Sequence, residues 1–99
     1  MKLSEVDLAY IKDFCGVADD DYDSDILLES NLSAAKSFIL NTTGLSMQES
    51  DKYEDLTVAL QTMVYEAFYY RRYLTEAGFS NGINPLAEQI IEQHRRNFL

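Results

Sequence analysis

Cationic residues are scarce in this 99-residue chain: eight Lys and Arg stand against seventeen Asp and Glu, for a net charge of −9. That balance excludes nucleic-acid binding driven by bulk charge, because phosphate contacts need a cationic surface. It does not exclude a protein that surrounds DNA without gripping it. One cysteine, Cys15, precludes an internal disulfide and reads as a small core residue. With His94 the single histidine, a zinc site lacks its ligands. No apolar run approaches the ~20 residues of a transmembrane helix. The opening Met1-Lys2-Leu3-Ser4-Glu5 has neither the apolar run nor the cleavage site of a signal peptide, so a reduced, intracellular protein is expected. There is no phosphate-cradling glycine loop, internal repeat, low-complexity tract or domain linker. The length predicts one domain over residues 1–99, with a modest core that buries ~65% of the unfolded surface.

The charge that is present is unevenly placed. Residues 1–55 hold thirteen acids and four lysines, hence all of the net −9, whereas residues 56–99 balance four glutamates against four arginines. Helical periodicity and capping signals predict an all-α fold of four helices with a long third helix. The first runs over 4–15, with Ser4 and Asp7 approximating a capping box, Val6, Ala9, Tyr10 and Phe14 at helical spacing, and Gly16 as the stop. The second runs over about 24–43, capped at Asp23 or Ser24, with Leu28, Leu32, Ala35, Ile39 and Thr42 as its stripe and Phe38 widening it. Gly44 ends it. Residues 45–52 form a polar link in which Ser46 with Glu49, and Asp51 with Glu54, both offer capping boxes. The third helix spans 52–77, with Leu56, Leu60, Met63, Val64, Ala67, Tyr70 or Arg71, and Leu74 on its apolar face, and is ~39 Å long. That exceeds what the first helix can cover, so part of it is expected to project or to meet another subunit. A loop over 78–84 carries the Asn81-Gly82 turn signal. Asn84 and Pro85 then start a last helix over 85–96, on which Leu86, Ile90 and Gln93 face one way, with Ile91 alongside.

Two groups of residues are candidate sites. Tyr65, Tyr69 and Tyr73 form a second face beside the apolar stripe of the third helix. Tyrosine and arginine favour protein interfaces, which makes Tyr65, Tyr69, Arg72 and Tyr73 a candidate oligomer surface. The competing reading is that helices one and four cover both faces. Arg71 and Arg72 can pair with acids of a neighbour head to tail, and heterologous contacts of that kind close into rings. The second group is Asp19, Asp20, Asp21, Asp23 and Asp25. Their alternation resembles the start of a calcium loop, but the pattern fails where the sixth position is Ser24 and the twelfth is Ser30. A solvated turn, a helix N-terminal charge or a surface for a basic partner fits better. Cys15 and His94 have no local support as a nucleophile–base pair. No enzyme, cofactor or metal is expected.

In layout the chain resembles the tailed-phage head–tail connector family, small helical adaptors of phages and prophages. The resemblance rests on the Leu3-Ser4-Glu5-Val6 to Ile11-Lys12 segment, the acidic Asp19-Asp20-Asp21-Tyr22-Asp23-Ser24-Asp25 turn, and Ile26-Leu27-Leu28 with Ala34-Ala35. It continues through Ile39 and Thr43-Gly44, the Leu56–Tyr73 helix centred on Val64-Tyr65-Glu66, and Pro85-Leu86 to Arg95-Arg96. It implies a structural subunit at the head–tail junction of the virion, present in the host cytoplasm during assembly. Such proteins form a homo-oligomeric ring beneath the portal protein and extend the DNA channel. They complete packaging and present a surface for a stopper or tail-completion protein. DNA then passes nearby without sequence-specific binding, and no membrane is involved. The acids would suit a conduit, since like charges resist sticking to phosphate. The alternative is a small acidic regulatory protein that binds a basic protein surface.

Overall fold

A computed structural model describes residues 1–70 and 84–95. Among these residues there are five α-helices and no strand: α1 (Leu8–Phe14), α2 (Asp25–Thr43), α3 (Met47–Ser50), α4 (Asp55–Tyr70) and α5 (Pro85–Gln93), preceded by a 3-10 turn over Leu3–Glu5. The all-α class is as expected. The helix beyond the expected four is α3, whose single turn is closed by the Ser46/Glu49 capping box. The predicted continuation of the third helix to 77, the loop over 78–83 and residue 96 lie outside the described residues.

The expected first helix is broken. Val6 is extended, and α1 begins only after Asp7, whose carboxylate accepts from the Tyr10 N–H at 2.9 Å. The break resets the phase, so Ile11, Lys12 and Cys15 are buried, while Ala9 and Phe14 of the predicted stripe are exposed. Ser4 is drawn elsewhere. Its N–H and hydroxyl both donate to Asp51, at 2.9 and 2.6 Å. The Thr57 hydroxyl donates to the Met1 carbonyl at 2.8 Å, which seats the N-terminus against the start of α4.

Both expected glycine stops are present. Gly16 has φ +72°, and the Val17 N–H reaches the Lys12 carbonyl while the Gly16 N–H reaches Asp13, a Schellman closure. Gly44 has φ +76° and returns its N–H to Leu40, the simpler left-handed closure. The α2 stripe ends on Thr43, not on Thr42. The buried Thr43 hydroxyl donates back to the Ile39 carbonyl at 2.7 Å.

Helix α4 is the spine. Leu56, Leu60, Met63, Val64 and Ala67 are all buried, as their spacing predicts. α2, α5 and α1 all pack against it. Paired residues give the directions. Tyr10 bonds Gln61 and Phe14 meets Tyr65, so α1 runs with α4. Lys12 meets Asp25 and Lys36 reaches Val6, so α2 runs against α1. Asn84 bonds Glu66 and His94 bonds Asp55, so α5 runs against α4. α5 buries Ile91, expected alongside its face, together with Ala87, while Leu86 and Gln93 of the expected face are exposed, because its seam follows the groove of α4. The described part of α4 is ~24 Å long. The longer α2 packs along it, so this part needs no second subunit to cover its apolar stripe.

One core position is unsatisfied. Asn31 on α2 is wholly buried, and neither polar atom of its amide has a partner among the described residues. Asn31→Leu keeps the heavy-atom branching and removes that desolvation. It should raise unfolding free energy by about 1–2 kcal/mol in urea titration; a decrease would mean the amide does find a partner. The Ser4–Asp51 link predicts an acid-side effect. The Ser4 hydroxyl first, and its N–H second, hold the Asp51 carboxyl below its usual 3.8. Its contribution is therefore full above pH 3.8 and is lost as pH falls through the lowered folded value. Ser4→Ala should lower the melting temperature at neutral pH, and the gap to the parent should close in acid.

Candidate assembly surfaces

The acidic turn is built around a lysine. Lys12 lies on the inner face of α1 and is only 4% exposed. Its ammonium donates to the carbonyl oxygens of Asp19 at 3.0 Å and Asp21 at 2.9 Å, and pairs with Asp25 Oδ1 at 2.8 Å. Its Nζ also sits 5.4 Å from the centre of the Tyr22 ring. The calcium-like alternation thus makes an oxygen cage whose cation is covalently part of the chain. The Asp25 carboxylate, foremost, holds the Lys12 ammonium above its usual value, with Asp21 and Asp19 adding to this against burial. Asp19, Asp20, Asp21 and Asp23 keep their side chains exposed, whereas Asp25 turns inward.

Tyr65 and Tyr69 lie on the outer side of α4, 39% and 48% exposed. Phe14 of α1 meets Tyr65 edge-on at 6.0 Å, Tyr65 and Tyr69 are 4.6 Å apart, and Phe68 meets Tyr69 at 5.0 Å. The Tyr69 hydroxyl donates to the Cys15 carbonyl. Tyr69 therefore serves the fold at its tip while leaving half its surface free. Val58, also exposed, extends the same face toward the helix start. Arg72 and Tyr73 lie outside the described residues, so Tyr65 and Tyr69 are what the structure brings together. The two candidate sites meet at α1: Lys12 holds the acidic turn, and two residues on, Phe14 joins the aromatic face.

Two further titratable side chains, His94 and Cys15, lie against α4. His94 Nε2 sits 2.8 Å from both carboxylate oxygens of Asp55, and its ring stacks on Tyr53 at 4.4 Å. Burial raises the Cys15 thiol above its usual value. Cys15 lies by Tyr69 and His94 by Asp55, near opposite ends of α4 and separated along it by ~21 Å, so they form no nucleophile–base pair. A groove of about 300 Å³ is lined by Leu8, Glu29, Leu32, Ser33 and Lys36. Lys36 already donates to the Val6 carbonyl at 2.7 Å, and burial lowers its ammonium against the opposing pull of Asp7 and Asp51. Among the described residues no cluster of His, Cys, Asp and Glu is arranged to hold a metal ion, and no helix is long and apolar enough to cross a membrane.

Comparison with known families decides the identity. The family of phage gp6-like head-tail connector proteins matches residues 5–95. The chain belongs to that family. No curated protein and no solved structure showed a significant match. That family is one of structural proteins of the phage head–tail junction. Sequence reasoning named both candidate surfaces but assigned no role to Lys12, which the structure places between them. The available signal was the i, i+3, i+4, i+7 spacing of Leu8, Ile11, Lys12 and Cys15, which sets a lysine on an apolar face beside an acidic turn.

Lys12→Met keeps the stem and removes the ammonium. It should free the turn over 17–25, seen as faster amide exchange and protease cleavage there, with a lower melting temperature. In the parent, the contribution is intact at neutral pH and is lost only as pH rises above 10.5 through the raised folded value. Saturating calcium should leave the parent's melting temperature unchanged, since the cage oxygens are already engaged.

Proposed function

We propose that this connector is a ring-forming subunit that docks beneath the portal, extends the DNA channel, and presents a surface for a stopper or tail-completion protein. Residues 1–99 act in it as one domain. The observation that carries the reading is the aromatic face of Phe14, Tyr65 and Tyr69, left half exposed on a small acidic member of a connector family. Large amphipathic rings at low conformational cost are the residues that anchor protein interfaces. Arg72 and Tyr73 extend this candidate interface in sequence. A subunit at −9 also suits a conduit. A ring of such subunits repels the phosphate backbone at short range, so DNA slides past instead of adhering. The protein works in the host cytoplasm during assembly and then in the virion.

The test is the mass of the full chain in solution and on portal-bearing heads. A ring-sized species, free or formed on the portal, is expected. A chain that stays monomeric and absent from purified particles would sink the reading. Tyr65→Ala separates interface from fold. It should cost the isolated subunit about 1 kcal/mol, the scale of one aromatic pair, yet weaken assembly about tenfold or more. Equal loss of both would return Tyr65 to a folding role.

A further inference from the structure

The start of α2 carries an exposed apolar patch. Ile26 is 81% exposed, Tyr22 72% and Leu27 48%. These three are not loose. Tyr22 stands over the Lys12 ammonium, and Ile26 and Leu27 follow directly on Asp25, the carboxylate that this ammonium holds. The Tyr22 ring and the backbone of the first turn of α2 are thus held before anything docks, which lowers the entropy lost on docking. Exposed carboxylates of Asp19, Asp20, Asp23 and Glu29 surround it in sequence. An apolar centre with a charged rim is the anatomy of a protein interface.

The sign of the rim selects the occupant. DNA, RNA and anionic lipid surfaces are repelled. A second copy of this chain is a poor match. It carries −9 overall, its Lys12 and Lys36 are committed to its own backbone carbonyls, and the arginines it could offer, Arg71 and Arg72, adjoin in sequence the tyrosine face assigned above to contacts between copies. The occupant with complementary charge is a different protein. We propose that the patch of Tyr22, Ile26 and Leu27, clamped from below by Lys12, docks a virion protein that presents Lys and Arg around an apolar recess. The inference rests on the connector reading for where that partner is found. It separates this docking surface from the aromatic face that joins copies to one another.

The experiment places a photo-cross-linking phenylalanine analogue at Ile26 of the full chain, in heads assembled with it. After irradiation, adduct peptides are sequenced. Adducts to a Lys- and Arg-rich peptide of another virion protein are expected. Adducts between copies of this chain, adducts to acidic or neutral peptides, or none at all would overturn the proposal. A second arm uses Ile26→Asp, at a site exposed enough to leave the melting temperature unchanged. Its incorporation into heads should fall about tenfold, while assembly between copies persists. Parent-like incorporation of Ile26→Asp, with the parent present in heads, defeats this inference alone. Absence of the parent itself from heads defeats the connector reading and the inference with it.

Discussion

The apolar stripe of α4 has to be covered on more than one side, and the rest of the fold follows from how that is done. Leu56, Leu60, Met63, Val64 and Ala67 are fully or nearly fully buried, and no single helix can close over so broad a face. α2 takes one side, α5 another, and the short α1 a third. Two of these covers, α5 and α1, are each pinned to α4 by two polar pairs. Asn84 with Glu66 and His94 with Asp55 fix the two ends of α5. Tyr10 with Gln61, and Tyr69 with the Cys15 carbonyl, fix α1. These bonds add little net energy each, on the order of 1 kcal/mol. They specify register, because the apolar contacts alone do not.

Lys12 links that core to the surface. Its stem belongs to the apolar face of α1 and its ammonium to the acidic turn. The core that holds α1 in place therefore also shapes the exposed residues around Asp19–Asp25. Repulsion among closely spaced carboxylates would otherwise favour an open loop. A buried cation within the chain removes that cost and leaves the outward acids free. The chain can then be strongly acidic at this turn and still fold tightly there. The aromatic face on α4 is organised in the same way, since the Tyr69 hydroxyl serves the fold while its ring stays available.

Much of the fold was legible in the residues. The buried face of α4, the Asn84 cap with Pro85, the Ser46/Glu49 box and both glycine stops depend on neighbours within a few positions. The first helix was misread because Ser4-x-x-Asp7 satisfies a local capping pattern. A distant carboxylate, Asp51, satisfies Ser4 better with two bonds. The face of α5 was misplaced by one step, because its short sequence offers Leu86, Ile90 and Ile91 almost equally and only the groove of α4 chooses. For the candidate surfaces, Tyr65 and Tyr69 were found from their spacing. The acids were found from their density, but their geometry was not.

The sequence by itself determined an acidic all-helical chain, where α2 and α5 begin, where α1 and α2 stop, and the family. Those depend on short-range periodicity, on capping and on composition, all of which are carried by contiguous residues. Only the tertiary structure decided which of seventeen acids Lys12 would hold, where Ser4 would turn, and which aromatic rings would stay in water. Many carboxylates are chemically equivalent partners for one ammonium. The choice among them is made by the packing of helices far apart in sequence, which no local pattern records.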